Sequence, residues 1–493
     1  MRIQQFLEHH DVANNPFAEE DAQTDPVFKD FCIDNTYHPT WDKIYGDPRD
    51  PATSIVFGEK GAGKTALRLQ IVRHVKQFNA EHANQRLFVI EYDDFNPFLD
   101  RFRDKLSRFR SRNNDRVLAE FRLWDHMDAI LTLGVTQLVD AIVKPDKNGP
   151  VGSVEPGKLD RNQARDLLLL TAFYDQSLAE PFRQRWHRVR RALRFRTWKS
   201  RWPAWLGVLL TVATLGLIGY QQHWDAMFTP WPYIIIAVGW LPWLWRTARL
   251  WWRCRGIVRQ LRVVLREVAP LRQLLAQFTS DQLAGQPLPD KDRTDDRFEL
   301  LAKFQAVLNS LGFSGVLVIV DRLDEPHLVN GSPEQMRALI WPMLDNKFLK
   351  HPGIGFKLLL PVELSQYIAR EDREFYQRAR LDKQNMIPSL EWSGEALYDV
   401  ANARLKACAV AGKTPSVRTF FDDTLSDRRL IDGFRSLRVP RHLFRFLYRV
   451  FVSHANTHTD ENPVWQISAG TFESQLALYQ RDQDAFDRGL GAG

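Results

Sequence analysis

Two apolar segments without a charged residue, Trp202 to Tyr220 and Trp231 to Trp245, stand in the middle of the chain, joined only by Gln221 to Pro230. A helix needs roughly 20 apolar residues to cross a bilayer. The first segment meets that length, and the second does so with Phe228 and Trp251 beside it. So short a link holds no domain, so the expectation is a hairpin, spanning about 202–222 and 229–246, with both ends on one side. Charge names the side. Arg183, Arg185, Arg188, Arg190, Arg191, Arg194, Arg196, Lys199 and Arg201 precede the hairpin and Arg246, Arg249, Arg253, Arg255, Arg259 and Arg262 follow it, whereas the link holds Asp225 alone. The positive-inside bias makes both flanks cytoplasmic, and the expected location is the cell inner membrane with both termini cytoplasmic. It also explains why so many of the 16 tryptophans crowd between Trp186 and Trp252, as belts at the two interfaces. The rival readings are a buried hairpin of a soluble protein, which needs no arginine clusters on its flanks, and a nucleic-acid stripe at 183–201. A basic cluster abutting a span also attracts anionic lipid.

The rest of the chain has an ordinary globular composition, 44% hydrophobic and 26% charged over 493 residues, which suits two or three domains. Cys32, Cys254 and Cys408 lie far apart without metal-ligand spacing, so neither a disulfide framework nor a zinc site is expected. The net charge of +7 alone does not separate nucleic acid from lipid as a partner. Met1 to Val12 has no apolar core of a signal peptide, and export is not expected.

Ala52 to Phe57 reads as a buried strand, and Leu67, Ile71, Val75 and Phe78 follow at helical spacing. Between them Gly58, Glu59, Lys60, Gly61, Ala62, Gly63, Lys64 and Thr65 fit G-x-x-x-x-G-K-[ST] in full, with Ala66 next in the helix. In that context glycines let backbone N–H groups converge on phosphates at a helix start, the lysine reaches the β- and γ-phosphates, and the hydroxyl holds Mg²⁺. A nucleoside triphosphate with Mg²⁺ is therefore the expected ligand, taken as ATP, although no base-reading motif separates ATP from GTP. Leu87 to Glu91 and Phe356 to Leu360 read as strands, and Leu123 to Val143 and Leu261 to Phe278 as helices. A helix capped by Asp295 or Asp296 is expected to stop at Gly312, before the apolar strand Val316 to Val320. Asp321 at the end of that strand is the Mg²⁺ candidate. Asp324 or Glu325 would orient or deprotonate the attacking water, with Glu325 favoured.

The phosphate loop together with Asp321-Arg322-Leu323-Asp324-Glu325 resembles the D-x-x-D-E pattern of NACHT-like, signal-transducing ATPases, and a hairpin lodged between the two motifs resembles the KAP group of P-loop NTPases. The resemblance covers roughly residues 52–448. It implies an α/β P-loop NTPase core of three layers with a parallel sheet, an inserted two-helix transmembrane hairpin and a C-terminal helical lid. It also implies that Arg441, after Pro440, contacts nucleotide, that Glu363 occupies a γ-phosphate-sensing position, and that Arg370, Arg373, Arg378 or Arg380 supplies an arginine finger. Arg322 stands where ordinary AAA+ ATPases carry their catalytic Glu, which throws hydrolysis onto Asp324 or Glu325.

The expected organisation is a lead-in at 1–50 without visible chemistry, the core in two stretches at 51–182 and 263–390 around flanks and hairpin at 183–262, and the lid at 391–493. The expected function is a membrane-anchored ATPase serving as a nucleotide-driven switch on the cytoplasmic face. The resemblance suggests sensing or defence, with a homo-oligomer or a partner effector protein as output. The alternatives are a nucleic-acid-binding ATPase of origin-loader type and a nucleotide-binding membrane scaffold without turnover. A transporter is disfavoured because two helices without an intramembrane charge offer no substrate path.

Overall fold

The computed structural model describes residues 1–106, 113–146, 149–177, 179–220, 228–344, 347–381 and 384–487. The fold is α/β, with strands β1 (Ser54–Gly58), β2 (Arg86–Tyr92), β3 (Phe313–Val320), β4 (Ile354–Pro361) and β5 (Asn385–Ile387) in one parallel sheet of order β2-β3-β4-β1-β5. Apolar runs buried on both faces are what a parallel sheet demands, and every residue of β1 and β4 is buried. Ser54 to Gly58 pair in register with Lys357 to Pro361 of β4. β5 pairs along the other edge of β1, from Ser54 opposite Asn385 to Val56 opposite Ile387; its three residues are too few to be read from periodicity.

The chain divides into two compact units. The first comprises Met1–Glu81, Ile319–Asp324 and Gly355–Gly493. Its helical part is built from Gly394–Ala407, Asp427–Leu437, Pro440–Thr457 and Ala469–Asp487. Ser393 and Ser426 cap two of these helices by accepting from the N–H groups of Ala396 and Arg429, and Pro440 opens a third. The N-terminal residues are not a bare lead-in. Phe6, Leu7, Val12 and Phe17 belong to the same hydrophobic core as Leu397, Phe420, Leu447 and Phe451. Buried Arg404 donates to the Pro16 carbonyl at 2.6 Å and to Asp25 at 2.5 Å. A second tie is Lys357 of β4, whose buried ammonium donates to the carbonyls of Ile44, Tyr45 and Ala52; burial pulls its pKa down to about 7.

The second unit comprises His82–Val318 and Glu325–Ile354. Leu123–Val143 is helical as expected, and it buries Met127, Leu131, Val135 and Leu138. Two described helices are long and apolar enough to cross a membrane: Leu123–Val143, 72% buried over its apolar window, and Trp202–Tyr220, 22% buried. The first is a core helix. The second lies against Trp231–Gln260, one helix of 30 residues with Pro242 inside it, which runs past its apolar half through Arg246, Arg249, Arg253, Arg255 and Arg259. Gly207 admits the Trp240 ring, Gly239 admits Leu210, and Trp240 donates to the Thr211 hydroxyl at 3.1 Å. The faces turned away from this contact leave Trp202, Leu209, Val212, Ile234, Val238 and Leu241 exposed. The link at 221–227 lies outside the described residues.

Several expectations need correction here. The helix expected from Leu261 to Phe278 is confined to Val268–Leu275, because Leu261, Val263 and Val264 are buried in irregular chain. Asp295 and Asp296 sit in the first turn of Thr294–Ser310 rather than at its cap, which is Arg293; Gly312 does follow the helix, at φ +88°. Parts of the basic flanks are structural. Arg185 is buried between Asp175 at 2.8 Å and Asp140 at 2.7 Å, and Arg262 pairs with buried Asp125. A buried cluster of the same kind joins Arg297 to Asp128, which also accepts from Tyr174 at 2.8 Å.

Candidate functional site

β1 ends at Gly58 and the helix Lys64–Glu81 begins six residues later, so the glycine-rich loop is the strand-to-helix turn that its sequence predicts. Gly61 and Gly63 have φ of +91° and +97°, a region in which a side chain is strained. The loop is held from outside by two residues of the helical part. Trp392 donates its indole N–H to the Ala62 carbonyl at 2.9 Å, and Arg441 lies so close that a Cβ on Gly61 would come within 2.6 Å of the Arg441 Cβ. The residue after Pro440 is thus brought to the loop. Trp392 had no motif to announce it.

Lys64 is largely buried, and its ammonium donates to the carbonyls of Gly58 at 2.7 Å and Glu59 at 3.1 Å. Burial lowers its pKa; the charges of Asp324, Asp321 and Glu363 oppose that shift and Arg441 adds to it. Four other predicted site residues therefore act on Lys64 through their charges. Of the two acids left open by the sequence, Asp324 acts on Lys64 through its charge, and Glu325 is exposed.

Asp321 follows β3 directly, with 1% of its surface exposed. The Thr65 hydroxyl donates to its Oδ2 at 3.3 Å, and Arg68 Nε lies 3.5 Å from the same oxygen. Burial raises the Asp321 pKa, against the pull of the Arg68 charge, the Arg322 backbone N–H, Lys64 and Thr65. Arg68 has a local signal, since it lies one helical turn beyond Lys64 and so on the face that carries Lys64 and Thr65. Arg322 takes a left-handed backbone, φ +58°, which costs a non-glycine residue about 1–2 kcal/mol. Its guanidinium donates to Gln23, so the N-terminal residues reach the position beside Asp321. Glu20 accepts from Arg445 at 2.7 Å and lies 3.9 Å from Arg441.

Gly58, Asp321 and Glu363 all stand at or just past the carboxyl ends of parallel strands, the edge at which open α/β sheets bind ligands. Mg²⁺ commonly takes one or two protein oxygens and completes its shell with water and substrate phosphate. Thr65 with Asp321 fits that donor set, and no cluster of three His, Cys, Asp or Glu occurs among the described residues. Arg370, Arg373 and Arg380 are exposed, and the Arg378 side chain lies outside the described residues.

No protein-family model, curated protein or solved structure matches the chain.

Proposed function

We propose that the chain is a membrane-anchored P-loop ATPase that binds ATP with Mg²⁺ and acts as a nucleotide-driven switch on the cytoplasmic face of an inner membrane. The observation that carries this reading is the convergence of Lys64, Thr65 and Asp321 at a glycine loop with left-handed Gly61 and Gly63. In this reading Lys64 neutralises phosphate charge, Thr65 and Asp321 hold the metal, and Asp324 or Glu325 positions the attacking water. Arg441 couples the loop to the helical lid. The membrane part rests on the exposed apolar faces of Trp202–Tyr220 and Trp231–Gln260, since neighbouring exposed apolar side chains mark a membrane or protein contact. The two spans are argued from the length of the apolar segments, and the cytoplasmic termini from the flanking arginines. Output would pass to a second copy of the chain or to an effector protein, in sensing or defence as the KAP and NACHT-like resemblance suggests. A nucleic-acid ATPase is the weaker alternative, since Arg185 and Arg190 of the basic run are engaged with Asp175 and Gln277.

The test is phosphate release and ATP binding by the detergent-solubilised protein beside Lys64→Ala, Asp324→Asn and Glu325→Gln. The proposal expects Lys64→Ala to abolish both activities and one acid variant to abolish release alone. ATP bound without turnover in the natural protein would leave the scaffold reading. ATP binding equal in Lys64→Ala would remove the P-loop assignment.

A further inference from the structure

A cavity of about 330 Å³ in the second unit lies beside the turn from which the first hairpin helix starts. Its wall includes Arg161, Arg165, Arg196, Gln277, Thr279 and Asp281. Three guanidinium groups thus face one carboxylate of the lining. Arg165 is satisfied by Asp166 at 2.8 Å. Arg161 and Arg196 are exposed and form no ion pair among the described residues. The cavity is built rather than incidental. Arg246, from the second hairpin helix, donates to the carbonyls of Ser200, Ala276 and Phe278, tying two of the wall segments together. Arg190 fixes a third point by donating to Thr197 at 3.2 Å and Gln277 at 2.8 Å. The wall segment Thr197 to Ser200 runs directly into Trp202–Tyr220, and Trp198, 75% exposed, stacks on Trp205 at 6.2 Å. Exposed tryptophans at the foot of an apolar helix mark the depth of lipid headgroups.

We infer that this cavity binds the phosphate of an anionic phospholipid headgroup, with Arg161 and Arg196 as its paired guanidinium donors. Planar guanidinium forks match phosphate oxygens two at a time, and the hydroxyl and amide groups of Thr279 and Gln277 suit a headgroup's glycerol oxygens. The inference rests on the membrane reading of the hairpin.

The test reconstitutes the full chain in nanodiscs of phosphatidylcholine, with and without phosphatidylglycerol, and counts retained lipid by native mass spectrometry. The natural protein and Arg249→Ala, which lacks only an exposed flank charge, are expected to retain phosphatidylglycerol equally. Arg161→Ala/Arg196→Ala should lose it by roughly tenfold, with an unchanged unfolding midpoint. Equal retention by the double variant overturns the site while leaving the hairpin in the bilayer. Failure of the natural protein to enter either nanodisc overturns the membrane reading instead. Glycerol phosphate, tested without bilayer, separates the sources: binding that depends on the same two arginines upholds the phosphate site and makes its ligand soluble.

Discussion

Arg68 Nε lies 3.5 Å from the carboxylate of Asp321, and both side chains are buried. Burial raises the Asp321 pKa and the Arg68 charge is the largest effect opposing it. A metal ligand must be ionised, so whatever raises this pKa weakens metal binding at low pH. In Arg68→Met the acid limb of Mg²⁺-dependent nucleotide binding should therefore move to higher pH. Removing one partner of a buried pair should also cost about 3–5 kcal/mol of stability. Magnesium titrations at stepped pH, read by fluorescent nucleotide, check the first outcome. An unmoved acid limb would mean that Asp321 does not bind the metal.

Gly61 carries two burdens that can be separated. Its φ of +91° penalises any side chain, and a Cβ would collide with the Arg441 Cβ at 2.6 Å. Gly46 has a similar φ of +69° with nothing within 4 Å. Gly46→Ala should thus lose about 1–3 kcal/mol from backbone strain alone, at φ +69° and ψ −161°. Gly61→Ala should lose more, and ATP affinity with it. Arg441→Gly should recover the excess in the double variant, a coupling that denaturation of all four forms measures directly. Additive losses would show that the loop and the helix Pro440–Thr457 are not in contact.

The sequence displays what is local. The glycine loop, the acid closing β3 and the helix Leu123–Val143 each declare themselves within a few residues, through fixed spacing or periodicity, and each stands where expected. What it conceals are meetings of distant residues. Nothing near Gln23 or Glu20 indicates that they approach Arg322 and Arg441, and Trp392 has no local sign of holding the Ala62 carbonyl. The same limit hides the partners of Arg185 and Arg262. Membrane topology was a sufficient cause for an arginine beside a hairpin, yet both satisfy buried aspartates that periodicity cannot reveal.

The hairpin contact is tested by size. A Cβ on Gly207 would lie 2.8 Å from the Trp240 ring, and one on Gly239 would lie 2.8 Å from Leu210. Gly216 and Gly219, on the same first helix, have nothing within 4 Å. Apolar attraction between helices vanishes in lipid, so close approach at small residues carries the association. Gly207→Ile should destabilise the hairpin by about 1–3 kcal/mol and open it to protease in detergent. Gly216→Ile should do neither. Equal protease resistance of the two variants would argue against this packing.

Two neighbours in the helix Leu123–Val143 make opposite contributions to acid stability. His126 is fully buried, its ring hydrogen-bonded to the Leu339 carbonyl at 2.8 Å and near the Tyr92 hydroxyl at 3.3 Å. Burial takes its pKa down to about 4, below the ordinary 6.5 that it regains on unfolding. The unfolded chain therefore binds the proton first, and stability falls as pH drops from 6.5 toward 4, by up to about 3 kcal/mol. Burial raises Asp125 from 3.8 to about 7 despite Arg262, so the folded chain binds that proton first and stability rises as pH drops through the same window. The natural protein should accordingly show a shallow profile between pH 4 and 7 from this pair. His126→Gln should unmask Asp125 and become relatively more stable in acid. Asp125→Asn should unmask His126 and become relatively less so. Urea midpoints across that range, taken as differences from the natural protein, carry the sign of each group, and parallel profiles in both variants would refute the assignment.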